Sequence, residues 1–188
     1  MKRIILLHGL ILLCYGLTAQ KLPLNDRWNF HSINQVGLLN GESNTAIHLQ
    51  SVNGFQYKNT FLGVGVGLDY YQKRTIPLFL ELKNYFGKKQ NKFFVYGDGG
   101  LNFAWEKKVT QYFYTSTYQP AFYCNAGFGY SVGFANGMAL QLNAGYTYKR
   151  VKNNQEQQTC PINGPCYKQV ETYVYDYNRL MLQIGWMF

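Results

Sequence analysis

The sequence has few residues that can carry out acid, base or nucleophilic chemistry. It contains three histidines and nine acidic residues among 188, and only His31 and His48 follow the N-terminal segment described below. Ser32 is adjacent to His31, but successive residues of a strand point to opposite faces, so the two do not share a site. His48 has Gln50 beside it and no nucleophile at a fitting offset. We therefore expect no enzymatic activity, no cofactor and no bound metal.

The sequence also lacks an apolar run long enough to cross a membrane as a helix. The longest one, Ile4–Leu17, falls short of the roughly 20 residues that a transmembrane helix needs. It follows two basic residues and ends at small residues before Gln20, which is the pattern of a secretory signal peptide. An uncleaved N-terminal anchor is the alternative. We expect residues 1–19 to be a signal and residues 20–188 to form one exported domain.

Acidic residues are scarce relative to basic ones. The formal net charge is +9, and removal of the signal takes away Lys2 and Arg3, which leaves +7. A basic surface favours an anionic partner. For an exported protein, phosphorylated lipid is a better candidate than nucleic acid.

Cysteines are few, and three follow the signal: Cys124, Cys160 and Cys166. The last two bracket the loop CPINGPC, and in an oxidising compartment we expect them to form a disulfide. On the chain-entropy model such a small loop gains about 2 kcal/mol. A metal site would need more ligands than this loop offers, and we expect Cys124 to be free.

The sequence does contain many segments with period-two alternation, which is typical of β-strands, and no helix is predicted. In the strong segments one face is apolar and the other carries Gly, Asn, Gln or isolated charges, as in the C-terminal run NRLMLQIGWMF. Long links at about 106–117 and 150–173 alternate with short turns. Eight strands are predicted, near residues 30–40, 45–56, 60–71, 76–86, 92–105, 118–134, 137–149 and 174–188.

The composition of the face opposite the apolar one decides between two architectures. A soluble sandwich or lipocalin-like barrel would bury the apolar face and expose Lys, Glu and Thr. Here the small and polar residues suit a narrow interior, so we predict apolar residues towards lipid, with closure satisfying the backbone groups. The 17 Tyr, 13 Phe and 3 Trp concentrate at segment ends, as in the girdles of membrane barrels. These features predict an all-β, eight-stranded antiparallel up-and-down transmembrane barrel.

The chain resembles the small eight-stranded outer-membrane β-barrels of Gram-negative bacteria, the OmpX-, OmpA- and OmpW-like group, and particularly the "outer membrane beta-barrel" proteins of Bacteroidota. The ending LMLQIGWMF carries the most specific part of this resemblance. In that group a terminal aromatic strand is recognised by the barrel-assembly machinery, and Trp186 and Phe188 match it here. The resemblance implies an integral protein of the bacterial outer membrane.

Eight strands enclose a lumen that side chains fill, so we expect a plugged barrel. Centring the turn between the fourth and fifth strands near residue 89 places Glu81 opposite Asp98, with Lys83 on the diagonal. Facing carboxylates also occur in hydrolases, but a buried ion network is the interpretation we favour, because unpaired charge is costly in a narrow lumen. The predicted network comprises Asp69, Glu81, Lys83, Asp98 and Arg179.

Five basic residues are predicted at the outer ends of strands five and seven, where they would contact lipopolysaccharide. Each basic residue near an anionic surface contributes about 1 kcal/mol. The five residues are Lys107, Lys108, Lys149, Arg150 and Lys152.

Members of the resembling group include adhesins, resistance factors, small-solute channels and structural anchors, so the resemblance does not fix one function. Our leading hypothesis is a structural or interaction protein that displays extracellular loops and is not catalytic. Two alternatives stay open: a narrow channel or transporter-like barrel for small molecules, and an accessory subunit of an outer-membrane secretion or assembly machine.

Overall fold

The computed structural model describes residues 28–87, 91–111, 114–134, 137–159 and 166–188. The predicted signal peptide lies outside these residues. Within them, no helix is both long and apolar enough to cross a membrane.

The described chain is built from antiparallel strands, ten in number. Two of these, the short β6 and β7, lie in the predicted long link between strands five and six. The strands are β1 Trp28–Gly41, β2 Thr45–Tyr57, β3 Thr60–Asp69, β4 Thr75–Phe86, β5 Lys92–Ala104, β6 Lys108–Thr110, β7 Tyr114–Gln119, β8 Ala121–Gly133, β9 Ala139–Thr159 and β10 Tyr167–Met187.

Eight of the strands form a closed ring. The order β1-β2-β3-β4-β5-β8-β9-β10 is completed by pairing of β10 with β1. At this junction the backbone N–H of Ser32 donates to the carbonyl oxygen of Phe188 at 2.8 Å. In return, the N–H of Phe188 donates to the carbonyl oxygen of Ser32 at 3.0 Å. Within the barrel the ring leaves no open strand edge, which is the condition for a sheet to lie in lipid. The predicted eight-stranded barrel is confirmed.

The barrel is inverted relative to a soluble one. In β3, Leu62 and Val64 are 57% and 56% exposed, while the glycine between them is buried. The same alternation runs along β4 and along residues 178–187 of β10, and the exposed aliphatic side chains form a belt around the wall. Soluble proteins rarely expose apolar patches of this extent, and lipid-facing barrel walls have this composition. The belt is the membrane-spanning surface.

Large aromatic rings fill the lumen opposite glycines. A Cβ atom on Gly65 would lie 2.3 Å from the Phe79 ring, and one on Gly129 would lie 2.3 Å from Phe94. Both rings are buried. Larger residues at these positions would displace the rings, so the glycine-rich segments are what allow aromatic side chains inside a narrow barrel.

Exposed aromatic residues mark the inner rim, at the end of the barrel where β10 terminates. Trp28 packs on Tyr57 with ring centroids 5.0 Å apart, and Phe134 stacks on Trp186 at 5.5 Å. Phe188 is likewise exposed beside this group. Such a girdle is expected where the wall meets the headgroup region.

Above the opposite rim, part of the sheet continues beyond the barrel. Strand β1 ends at Gly41, which pairs with Arg179, but β9 and β10 pair with each other as far as Thr159 and Tyr167. Strand β7 pairs with this part of β9, and β6 pairs with β7. We call these parts, β6, β7, residues 150–159 and residues 167–178, the outer sheet. The predicted ends of the last two strands, at residues 149 and 174, are therefore wrong, because much of the predicted long link at 150–173 continues β9 and β10.

Candidate functional site

Two features of the barrel bear on function: a charged network that fills the lumen, and the outer sheet. The network divides into an inner cluster and an outer cluster. The inner cluster consists of Glu81, Lys83, Asp98, Tyr85, Asn125 and Gln141, and the outer cluster consists of Asp69, Lys149, Arg179, Thr147, Thr75 and the Tyr71 carbonyl.

The inner cluster is organised by the β4–β5 hairpin. Its register sets Glu81 opposite Asp98, as the sequence predicts. Lys83 Nζ lies 3.0 Å from Glu81 Oε1 and donates to Gln141 Oε1 at 3.1 Å. Asn125 Nδ2 donates to Asp98 Oδ2 at 2.9 Å. Glu81 is thus paired with a lysine that reaches β9 across the lumen, and Asp98 is bound by the neighbouring strand β8, which favours a structural network over an acid–base pair.

The inner cluster also closes the lumen towards the inner rim. Gln141 Nε2 donates to the Tyr85 hydroxyl at 2.9 Å, and Tyr85 packs on Phe94 with ring centroids 5.4 Å apart. Below them is a cavity of about 310 Å³ whose lining includes Tyr85 and Met187. Both side chains are almost wholly buried, so they separate this cavity from the charged residues above.

The outer cluster is centred on Asp69. Its carboxylate pairs with Lys149 Nζ at 3.0 Å and with the Arg179 guanidinium, and all three side chains are buried. Arg179 also donates to Thr147 Oγ1 at 3.3 Å. A buried carboxylate with two cations holds β3, β9 and β10 together across the lumen.

Lys149 corrects one prediction from the sequence. The sequence predicts that Lys149 contacts lipid headgroups at the outer surface, but the Lys149 side chain is fully buried. Its ammonium donates to the carbonyl of Tyr71 at 2.9 Å and to that of Lys73 at 3.1 Å. The physical reason is the alternation of β9, in which odd-numbered residues point inward. Lys149 binds the β3–β4 connection from below instead of facing lipid.

The β3–β4 connection covers the outer mouth of the lumen. Tyr71 is 2% exposed, packs edge-on against Tyr177 at 5.6 Å, and its hydroxyl accepts from the Ser43 N–H at 3.2 Å. With Lys149 holding the carbonyls of the same connection, the mouth is filled at this point.

The other predicted headgroup residues lie at or above the outer rim. Lys107 and Lys108 are exposed, and Lys152 is half-buried. Arg150 is exposed but paired: its Nε lies 2.7 Å from Asp176 Oδ1. This interaction, with the Tyr148 hydroxyl, lowers the pKa of Asp176.

The described residues include Cys124 and both predicted assembly-signal residues, but only one cysteine of the predicted disulfide. Cys124 is free and lies on the outward face of β8. Cys160 lies outside the described residues, so its disulfide with Cys166 stays a prediction. Trp186 and Phe188 lie at the inner rim, where β10 closes on β1.

Sequence reasoning missed the edge of the outer sheet. From residue 167 to residue 176 every residue of β10 is exposed, whichever face its side chain takes. Among the described residues this stretch pairs with β9 alone. The sequence signal is weak because, apart from Val170 and Val174, both faces of the stretch are polar or aromatic, and no continuous apolar alternation marks it as a strand.

Comparison with known proteins identifies the fold. No protein-family model matches the chain, and no curated protein matches it. Neisserial surface protein A matches with a TM-score of 0.53 and 14% identity, over 85% of this chain and 95% of that one. The N-terminal β-barrel domain of Pseudomonas aeruginosa OprF gives 0.45 and 13%, over 85% and 98%. The outer membrane protein AlkL gives 0.46 and 12%, over 90% and 93%.

At this identity the first match shows the fold, and the other two TM-scores are too low to add to it. The chain has the fold of the small eight-stranded outer-membrane β-barrels.

Proposed function

We propose that this protein is a sealed, non-catalytic barrel of the Gram-negative outer membrane whose function is to display the outer sheet as an interaction surface. The single observation that carries the proposal is the combination of a filled lumen with an exposed sheet at one end. A lumen crossed by Asp69, Lys149 and Arg179 holds the wall rigid, while residues 167–176 are exposed on both faces.

A sealed lumen argues against the narrow-channel alternative. Each cluster ties charges to strands across the lumen: Lys149 of β9 binds Asp69 of β3 in the outer one, and Lys83 of β4 binds Gln141 of β9 in the inner one. Breaking a buried pair of this type leaves an unpaired charge and costs about 3–5 kcal/mol. An ion or small solute passing through would have to break several such contacts.

Conductance in planar bilayers tests this part of the proposal. The purified barrel should give no discrete conductance steps, and a porin of sixteen strands in the same bilayer serves as the positive control. Steps in the wild type that change in size for Lys149→Gln would instead establish a narrow path through the lumen and refute the sealed barrel.

We also propose that basic residues at the outer rim contact lipopolysaccharide phosphates. With Lys149 buried, Arg150 paired to Asp176 and Lys152 half-buried, Lys107 and Lys108 are the exposed cations among the five predicted headgroup residues that have no ion-pair partner among the described residues. Their attraction to an anionic surface falls off within a Debye length, so it should weaken with added salt.

The headgroup contact is tested by co-purified lipopolysaccharide. Lys107→Gln with Lys108→Gln should lower lipopolysaccharide retention at low salt. The matched control, Lys58→Gln with Lys92→Gln, removes the same charge at the inner rim and should leave retention unchanged. Equal retention in both double variants would refute the contact.

A further inference from the structure

The inference concerns the partner of the outer sheet, and it therefore rests on the proposed display function. Residues 167–178 of β10 form a strand edge that no described strand covers. At about 3.4 Å per residue this edge is about 40 Å long. It contains no proline, and the register with β9 runs without a bulge. Proline, bulges, short length and charged side chains are the usual devices that prevent an edge from pairing, and of these the edge has only charged side chains, Lys168, Glu171 and Asp176.

The backbone groups that face this edge can be identified. Phe188 exchanges both of its backbone hydrogen bonds with Ser32 of β1. In an antiparallel ladder every second residue turns its N–H and C=O to the same side, and the registers of β10 with β1 and β9 are unbroken. Even-numbered residues therefore point N–H and C=O at the free edge, from Asn178 back to Lys168.

We propose that the occupant of this edge is the same edge of a second copy of the chain, paired antiparallel about a two-fold axis at Thr172. The sequence of the edge is self-complementary in this register: apolar meets apolar, and positive meets negative. Such pairs stabilise adjacent strands. The pairs are Thr172 with Thr172, Val170 with Val174, Lys168 with Asp176, and Glu171 with Tyr173.

Neighbouring registers lack this complementarity. Moving the axis to residue 171 sets Glu171 against its own copy, which places like charges opposite each other. Moving it to residue 173 sets Asp176 against Val170. A shift by half a residue would set edge-facing backbone groups against groups that point to β9, so no ladder would form.

The contacts within the chain agree with the pairing at Thr172. Val170 and Val174 are 57% and 50% exposed on the outward face, where they gain cover from each other. The Tyr173 hydroxyl donates to Glu171 of its own strand at 2.5 Å, so in the pair each carboxylate lies between two tyrosines. Asp176 also keeps Arg150 as a neighbour.

The membrane fixes the orientation of such a pair. A two-fold axis perpendicular to the sheet reverses the direction of β10, so the second barrel lies at the opposite end of the joined strands. The two barrels therefore belong to two membranes that face each other. The pairing is therefore a contact between apposed membranes. Because both copies use the same edge, the interface is isologous and forms a closed dimer.

Vesicle tethering tests the proposal. Two populations of proteoliposomes are prepared, one with a donor dye and one with an acceptor dye. Energy transfer between them should show more association than between protein-free vesicles with the same dyes. Thr172→Pro removes an N–H that faces the edge while leaving the β9 ladder intact, so it should reduce association to the protein-free level. Charge reversal provides a second test: Lys168→Glu should abolish association. The matched control is Arg74→Glu, at an exposed cation of the β3–β4 connection away from the edge, and it should retain association.

The register is tested separately by cross-linking. With Cys124→Ser as background, Thr172→Cys places two thiols opposite each other, whereas Val174→Cys leaves them about 14 Å apart along the strand. A thiol cross-linker of about 8 Å should join Thr172→Cys alone. Association that survives Thr172→Pro, equal cross-linking at the two positions, or vesicles that never associate would each overturn the pairing. Bilayer conductance does not depend on the edge, so the sealed barrel stands or falls on its own measurement.

Discussion

Asp69 and Lys149 form a buried ion pair between β3 and β9, with 3.0 Å between Asp69 Oδ1 and Lys149 Nζ. The Arg179 guanidinium contacts the same carboxylate from β10. One acidic side chain thus balances two cations in the outer cluster, while the inner cluster contains two carboxylates, Glu81 and Asp98, and one cation, Lys83, which pairs with Glu81. The formal charges of the two clusters offset each other within one lumen.

Neutralising Asp69 should destabilise the barrel strongly. Asp69→Asn leaves Lys149 and Arg179 buried without a counter-charge, and we expect a loss of about 3–5 kcal/mol in the free energy of unfolding. Urea unfolding in lipid vesicles measures it. The same substitution in the exposed pair, Asp176→Asn, should change the stability of the barrel little. A similar small effect at both positions would show that the buried cluster is not what holds these strands.

A charge in the apolar belt should be costly, and the same charge above it should not. Ile184 lies on the outward face of β10 within the belt, and Ile184→Arg should cost about 2–4 kcal/mol if the residue is near the midplane. Val174 lies on the same face of the same strand but in the outer sheet. Val174→Arg should cost less than about 1 kcal/mol in the same vesicle assay. If the two variants lost the same free energy of unfolding, the assignment of Ile184 to the membrane-spanning belt and of Val174 to the outer sheet would be incorrect.

Removing the last three residues should prevent assembly in cells. Deletion of residues 186–188 removes both the terminal aromatic residues and the Ser32–Phe188 hydrogen bonds that help close the ring. The heat-modifiable shift on gels should disappear for protein taken from membranes. Phe128→Ala is the control, because it removes an aromatic ring that is 66% exposed on the wall without touching the terminus. A shift that persisted after the deletion would contradict the assembly role.

Cys160 and Cys166 should be joined, with Cys124 reduced. Peptide mapping without reduction measures the pairing directly. Cys124 lies on the outward face of β8, so a link from Cys124 to either of the other two is not compatible with the strand arrangement. We expect about 2 kcal/mol of stabilisation from closing this small loop on the chain-entropy model.

The outer sheet should loosen on acidification. Hydrogen bonds from Arg150 and then Tyr148 lower the pKa of Asp176 in the folded sheet. A carboxyl group with a lowered folded pKa stabilises above its unfolded pKa of about 4, and that contribution is lost as the pH falls through the folded value. Amide exchange at residues 151 and 175, whose backbone groups pair β9 with β10 next to Asp176, should therefore speed up below about pH 4 relative to the barrel strands. Asp176→Asn should remove this pH dependence, and its persistence in that variant would exclude Asp176 as the cause.

The barrel follows from local features of the sequence. Strand alternation depends on residues two positions apart, so the outward Leu78 and Leu80 and the inward Phe79 are visible in the sequence of β4 itself. The pairing of Glu81 with Asp98 is also local, because one short turn fixes the register of the hairpin. Glycines facing the aromatic rings could be anticipated for the same reason.

Lys149 and the outer sheet needed the tertiary structure. Alternation along β9 places Lys149 inside, but the carboxylate and carbonyls that make a buried ammonium stable come from β3 and the connection after it, which no local pattern connects to β9. The outer sheet forms because β9 and β10 continue their backbone ladder beyond the lipid. Backbone hydrogen bonds do not require apolar alternation, so a strand in water leaves little mark on the sequence, while a strand in lipid must alternate because one face meets hydrocarbon and the other the lumen.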